Sequence, residues 1–309
     1  MLPRLTIILL FLFIHLRLLF SQNDQNKLFF VITKDGTENI GNILSENETS
    51  VTLRSKNQEI IFIPKTDIKL FEPVTEDNFY KGKYIHPNLF ANRYIIGSSA
   101  IGPGKNKLFF KSIYGLAETL DYGITDEYSA GLSTSIVGVP VLLNGQANYK
   151  ITDGLYLGGT ATGGWLGWAG DSVFFGYGGI RLTKGTRSNN YTIGGGYFSL
   201  SNSIVPARRP SYVSLGDFGY LNFSSAIRFT RRISGLSEIW IMKNIYFKRS
   251  IYAVNLGIKI QRRVRKDSFG EKSAWTFFVS TIAFQEPRQN DLTIKAIPCV
   301  SWSKKIGKN

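Results

Sequence analysis

Residues that could perform catalysis are scarce in this chain. The sequence contains two histidines, His15 and His86, and one cysteine, Cys299. A serine or cysteine nucleophile needs a general base, most often histidine. His15 interrupts an apolar N-terminal stretch, and His86 precedes Pro87 in a segment without periodicity. A zinc site also needs more Cys and His ligands than these. We therefore expect no enzymatic activity, no cofactor and no metal.

Basic side chains recur at polar positions of alternating segments, and they indicate an interaction with anions. Rings of Arg and Lys line anion-selective pores. Alternatively, such residues are paired inside a lumen or lie outside the membrane. Glu118, Asp121 and Glu238 are the main acids that could neutralise them. The six basic residues predicted to face a lumen are Lys150, Arg181, Arg228, Lys259, Arg263 and Lys295.

Long alternating strands would position these side chains. Residues 141–151 alternate between apolar and polar side chains, and the turn signal Thr152-Asp153-Gly154 follows them. Similar runs recur to residue 305. Strands of about five or six residues are usual in soluble proteins, whereas about 9–11 tilted residues span a bilayer. Because lipid cannot satisfy a free sheet edge, we predict an all-β chain with a transmembrane antiparallel β-barrel of about 10–12 strands over residues 93–309.

Aromatic residues and glycines support this interpretation. Glycine triplets such as 194–196 fall inside the predicted strands. They allow the strands to bend, and their small size suits the crowded interior of a closed barrel. Tryptophans near strand ends or turns match the aromatic girdles of membrane barrels. The alternative is that they form the core of a large soluble β protein. The predicted interface tryptophans are Trp165, Trp168, Trp240, Trp275 and Trp302.

The stretch "DYGITDEYSAGLS", followed by "VPVLLNGQANYKITDGLYLGG", resembles outer-membrane β-barrel proteins of Bacteroidetes-type bacteria. The pattern "NYGLTDxxSxGxG" followed by a glycine-rich strand recurs in that group, sometimes behind a small SH3-like module. The resemblance covers about residues 93–200. It implies an outer-membrane location, with membrane lipid, lipopolysaccharide and the barrel-assembly machinery as partners. It implies no activity.

The N-terminal third has a different organisation. Residues 1–21 have a basic start, an apolar stretch and a small residue, Ser21, as in a secretory signal peptide. Residues 22–72 read as about five short strands with an Asp35-Gly36 hairpin turn, and they predict a small SH3-like β domain. It either acts as a spacer or binds a peptide or peptidoglycan. Residues 73–92 are predicted to form a linker.

The charge distribution limits the possible partners. The formal net charge is +15, and residues 200–309 carry 19 Lys or Arg against 6 Asp or Glu. Nucleic acid is not expected as a partner, because export would separate the protein from it. Two functions stay open: a narrow anion-preferring pore or small-solute transporter, and a non-catalytic barrel that anchors the N-terminal domain or contacts lipopolysaccharide. The oligomeric state stays open as well.

Overall fold

A computed structural model describes residues 28–55, 58–74, 79–80, 83–84, 88, 90–135, 137–138, 140–165, 173–202, 213–230, 232–245, 250–262, 273–285 and 292–306. The predicted signal peptide lies outside the described residues. The chain divides into two compact units, Met1–Glu76 and Asp77–Asn309. Within the described ranges, no helix has both the length and the apolar character needed to cross a membrane.

The first unit is a five-stranded antiparallel sheet. Its core contains Val31, Val51, Leu53 and Ile63, which are almost completely buried. The spatial order is β4-β3-β2-β1-β5, so the fifth strand returns to pair with the first. The strands are β1 (Leu28–Thr33), β2 (Glu38–Glu46), β3 (Ser50–Ser55), β4 (Ile60–Pro64) and β5 (Ile68–Val74).

The second unit is a closed barrel of twelve antiparallel strands, which confirms the predicted fold class. A short hairpin precedes it in sequence and consists of two strands of two residues each, β6 (Phe79–Tyr80) and β7 (Lys83–Tyr84). Consecutive barrel strands pair with each other, and β19 closes the barrel against β8. The barrel strands are β8 (Leu108–Ile113), β9 (Ala117–Gly123), β10 (Tyr128–Ser135), β11 (Val141–Thr152), β12 (Leu155–Trp165), β13 (Val173–Gly185), β14 (Asn190–Asn202), β15 (Val213–Arg228), β16 (Ile233–Asn244), β17 (Ser250–Gln261), β18 (Ser273–Gln285) and β19 (Leu292–Ile306).

The two ends of the barrel carry different connections. At the first, called the turn end, the strands are joined at residues 124–127, 153–154, 186–189, 229–232 and 262–272. At the second, called the loop end, they are joined at residues 114–116, 136–140, 166–172, 203–212, 245–249 and 286–291. Strand β8 begins at the turn end and β19 finishes there. The chain therefore enters and leaves the barrel at one end.

The outer face of the barrel is apolar along its strands. Alternate residues such as Leu143, Ile180 and Leu256 expose 64%, 71% and 58% of their side chains, which is unusual for such residues at a water-facing surface. Most of their sequence neighbours, such as Asn144, Arg181 and Asn255, are polar or small and face inward. The even-numbered residues of β17 lie outside and the odd-numbered ones inside, as the alternation of this segment predicts.

Glycines on the inner face make room for bulky luminal side chains. A Cβ atom at Gly179 would lie 2.0 Å from the hydroxyl oxygen of Tyr220, whose ring stacks on Tyr177 with the centroids 5.1 Å apart. On the outer face, a Cβ atom at Gly159 would meet nothing within 4 Å. The inner glycines are therefore required by close approach, as expected where large side chains fill a narrow barrel.

Candidate functional site: a plugged lumen

A segment of the chain crosses the barrel lumen near the turn end. We call residues 88–102 the plug; Leu89 lies outside the described residues. Tyr94, Ile95 and Ala100 of the plug are almost completely buried. The segment makes a sharp turn at its middle, where the Tyr94 amide donates to the Gly97 carbonyl oxygen at 3.0 Å. The plug contacts inward-facing side chains of β8, β9, β13, β14, β16 and β17, as described next.

The turn of the plug binds the carboxylate of Glu238. Three successive amides, those of Ile95, Ile96 and Gly97, donate to Glu238 Oε1 at 2.7, 3.0 and 2.9 Å, and the Ile96 amide also lies 3.0 Å from Oε2. Trp240 Nε1 lies 3.3 Å from Oε2. Consecutive amides of this kind form an anion-binding nest. The buried charge of Glu238 is thus stabilised by the plug backbone itself.

Two lysines bind backbone carbonyl groups of the same plug. Lys111 Nζ donates to the Ile95 carbonyl oxygen. Lys259 Nζ donates to the carbonyl oxygens of Phe90 and Arg93 at 3.2 and 3.0 Å. Both lysines are buried. Because a buried charge is costly unless it is hydrogen-bonded, these carbonyl groups replace the water that the ammonium groups would otherwise need.

The first arm of the plug, which precedes the turn, is fixed to two separate parts of the wall. Arg93 NH2 lies 2.5 Å from both carboxylate oxygens of Asp121 on β9. Tyr94 Oη contacts Asn190 Oδ1 and Thr192 Oγ1 at 2.5 and 2.6 Å on β14. These bonds span the lumen, because β9 and β14 lie in different parts of the ring of strands.

The second arm contacts β13. Arg181 Nε donates to the Ser99 carbonyl oxygen at 2.9 Å, and the Ala100 amide donates to Thr183 Oγ1 at 2.8 Å. A Cβ atom at Gly158 of the neighbouring strand would lie 3.0 Å from Cβ of Ala100. This inward glycine lets the plug backbone approach the wall closely, so the plug and the barrel fit each other side chain by side chain.

The packing around the plug leaves little space. One cavity of about 20 Å³ lies among Phe90, Arg93 and Lys111, and another of similar volume lies among Gly97, Arg181 and others. A volume of this size holds about one water molecule. The described residues therefore pack closely around the plug on both sides.

Above the plug, toward the loop end, the lumen widens into a vestibule of about 430 Å³. Its floor is made by Arg93, Ile96, Gly97 and Ser98 of the plug. The Ile96 side chain is 55% exposed although it lies inside the barrel. The wall residues are Ser133, Asn144, Gln146, Thr160, Thr162, Phe175, Tyr177, Phe198, Trp240, Met242, Ala253, Ser280 and Ile282.

The predicted basic residues occupy different parts of the barrel. Arg181, Arg228 and Lys259 are buried on the inner face of the turn half, and Arg228 NH2 donates to Gln261 Oε1 at 3.2 Å. Lys150 lies at the end of β11 in an exposed ion pair with Asp153. Lys295 lies on β19, is exposed, and stands 5.8 Å from the centroid of the Phe284 ring. Arg263 lies outside the described residues.

Three of the predicted interface tryptophans lie on the outer surface near strand ends. Trp165 packs against Phe174 near the loop end with ring centroids 6.2 Å apart, and Trp275 lies 6.4 Å from Trp302 near the turn end. Trp168 lies outside the described residues.

The prediction for Trp240 is wrong, because this side chain faces the lumen. It shares the inward side of β16 with Glu238, and its indole nitrogen donates to that carboxylate. A Cβ atom at Gly97 of the plug would lie 3.2 Å from its ring. A buried indole needs a hydrogen-bond partner for its N–H group. The position of this tryptophan in its strand indicates which residues share its face, but not that this face points into the lumen.

The plug is the structural element that the sequence did not reveal. The sequence predicts a linker over residues 73–92 and the barrel from residue 93, so residues 88–102 are divided between the two. The available signal was the excess of basic residues predicted to face the lumen, because the acids there are too few to neutralise them. In the described part of the chain, no group of three or more His, Cys, Asp or Glu residues could hold a metal ion.

Comparisons with known proteins give only distant likenesses. No protein-family model and no curated protein matches the sequence. Among solved structures, a KdgM porin shares 9% identity, with 65% of this chain and 98% of that chain covered and a TM-score of 0.37. An anion-selective porin from Comamonas acidovorans shares 8% identity, with 91% and 96% covered and a TM-score of 0.36.

Proposed function

We propose that this chain is an outer-membrane pore or transporter whose lumen is closed by its own plug. The observation that carries the proposal is the Glu238 carboxylate bound by three plug amides beneath an open vestibule. Barrels of about eight strands fill their interior with side chains alone, whereas a barrel of twelve strands has a wider lumen. Here the plug occupies the lumen near the turn end, where hydrogen bonds hold it to the wall.

The surface of the barrel supports a membrane location. Its outer face is apolar along the strands, and a closed sheet leaves no unpaired edge toward lipid. Membrane barrels of bacteria have short periplasmic turns and longer outer loops. Four of the five connections at the turn end are short, which favours a periplasmic turn end and a vestibule that opens to the outside. Lipid and lipopolysaccharide are then its surroundings, and the barrel-assembly machinery is its insertion partner.

Displacement of the plug would uncover a basic ring. Lys111, Arg181 and Lys259 each lose carbonyl partners when the plug leaves. The acids that remain on the described wall of this half are Asp121 and Glu238. With Arg228 also on the wall, positive charge exceeds negative charge. We therefore propose that the open state prefers anions, whereas the closed state hides this preference.

Planar-bilayer recording of the purified full chain in a salt gradient tests the proposal. We expect long closed periods, brief openings, and a reversal potential on the anion side during openings. Lys259→Gln should reduce the anion preference of open channels, whereas Lys304→Gln, on the outer side of β19, should leave it unchanged. Cation preference would contradict the basic ring, and a permanently open lumen would contradict closure by the plug.

An anchoring barrel is the second candidate, and the close packing of the plug favours it. In that case the plug is a permanent part of the barrel, and no openings occur even after its bonds are weakened. Either role is proposed to be non-enzymatic. The sequence features of residues 1–21 support export, the motif of residues 121–159 supports a Bacteroidetes-type relationship, and the return of β5 to β1 supports an SH3-like domain.

A further inference from the structure

The vestibule has two chemically different walls. On the side of β10–β12 it presents hydroxyl and amide groups: Ser133, Asn144, Gln146, Thr160 and Thr162. On the side of β13–β18 it presents mainly aromatic and aliphatic groups: Phe175, Tyr177, Phe198, Trp240, Met242, Ala253 and Ile282, with Ser280 among them. The floor adds Ile96. The cavity is thus amphipathic across its width.

The apolar wall is unusual for the inside of a membrane barrel, which is normally polar. Phe175, Phe198, Trp240 and Met242 are only half-buried, because they border the vestibule. The aromatic rings are held in place by one another: the Phe198 and Phe218 rings stack with their centroids 4.8 Å apart. A preformed apolar surface with several polar groups opposite is the usual composition of a small-molecule site, and 430 Å³ is within the usual range of volumes.

The described residues that border this space carry little charge. Arg93 is the one charged residue among the described residues that border the vestibule, and it is paired with Asp121 at 2.5 Å. Arg181 lies below and donates to Gln146 Oε1 at 3.0 Å. Because Arg181 takes this oxygen, the Gln146 NH2 group is one of the donors that the wall offers to a ligand. The site therefore favours a neutral ligand over an anion.

We propose that the vestibule binds a small uncharged amphipathic molecule, with an aromatic ring on one side and hydroxyl groups on the other. The ring lies against the wall of Phe175, Phe198 and Trp240, and the hydroxyl groups hydrogen-bond to Asn144, Gln146 and Thr162. This inference deepens the proposed function, since it names the solute class that the outer half of the lumen takes.

Calorimetric titration of the full chain in detergent tests the proposal with three probes. Phenyl β-glucoside carries both features, glucose lacks the ring, and phenyl sulfate is an anion. We expect phenyl β-glucoside to bind at least about tenfold more tightly than either of the others, since loss of an aromatic contact or of its hydrogen bonds costs about a factor of ten each. Equal binding of glucose, tighter binding of phenyl sulfate, or no binding of phenyl β-glucoside would each overturn it.

Two adjacent phenylalanines provide matched variants. Phe175→Ser removes a ring from the vestibule, and Phe174→Ser removes the same ring from the outer face of the same strand. Phe175→Ser should weaken phenyl β-glucoside binding about tenfold, while Phe174→Ser should not change it. Heat-modifiable gel migration shows that both variants are folded. Equal effects of the two variants would refute a luminal site.

Binding and conductance separate this inference from the proposed function. Binding of phenyl β-glucoside without any channel openings supports the vestibule site and removes the pore. Openings without this binding support the pore and remove the vestibule site.

Discussion

Replacing Glu238 by glutamine should release the plug from the barrel wall. The substitution keeps the size of the side chain and removes its charge. Glu238 Oε2 lies near three donors, at 3.0 Å from the Ile96 amide, 3.3 Å from Trp240 Nε1 and 3.4 Å from Asn255 Nδ2. In the variant, one branch of the side chain is an NH2 group, so either this branch or the amide nest loses its acceptor.

The size of the effect follows from the three plug amides. Hydrogen bonds to a charged group contribute about 1.5–3 kcal/mol, and those between neutral groups about 0.5–1.5 kcal/mol. The difference is about 1 kcal/mol for each amide, so the plug loses about 3 kcal/mol of binding free energy. This value corresponds to about a hundredfold shift toward the open state.

Single-channel recording measures this shift as open probability. Glu238→Gln should raise it about a hundredfold, or to saturation, with an anion-biased reversal potential. Glu118→Gln is the matched control: it removes one carboxylate from β9, on the side of the strand opposite to the luminal Asp121, and should leave gating unchanged. An unchanged open probability in a folded Glu238→Gln barrel would refute the role of the carboxylate in holding the plug.

Three further substitutions test the architecture. Gly179→Ala should destabilise the barrel by about 1–3 kcal/mol in urea unfolding from micelles, because its Cβ would lie 2.0 Å from a tyrosine hydroxyl, while Gly159→Ala should be tolerated; equal effects would contradict the luminal crowding. Ile258→Arg should cost about 2–4 kcal/mol if it lies near the bilayer midplane, and a neutral result would place it off the lipid face. Trp165→Phe should reduce quenching by brominated lipids and Trp240→Phe should not; the reverse would contradict their assignment to opposite faces.

Strand periodicity was enough to predict the class of the fold. The alternation in residues 141–151 and 252–260 determines which side chains face outward, because a one-residue shift would bury polar groups in lipid. The number of strands was predicted only as a range. Residues 107–124 read as one strand, but positive φ angles at Tyr114 and Gly115, 56° and 69°, turn the chain back between β8 and β9.

The site was harder to predict because its contacts are between a backbone and distant side chains. The nest around Glu238 uses the amides of residues 95–97, which have no sequence signature, and Glu238 follows them by more than 140 residues. Strand alternation places a charge on the inner face. It does not show that a carbonyl group from another segment, rather than an acid, will accept the hydrogen bonds of Lys259.

Locking the plug to the wall tests the central claim most directly. Ala100 and Gly158 bring their Cβ positions to 3.0 Å, somewhat closer than the usual 3.5–4.5 Å of a disulfide, so a small shift would accommodate the bond. The double variant Ala100→Cys/Gly158→Cys is made with Cys299→Ser, and each single cysteine variant is the control. We predict that oxidation abolishes channel openings, that reduction restores them, and that the controls do not respond. Openings that persist unchanged in the fully oxidised double variant would contradict closure of the lumen by this plug.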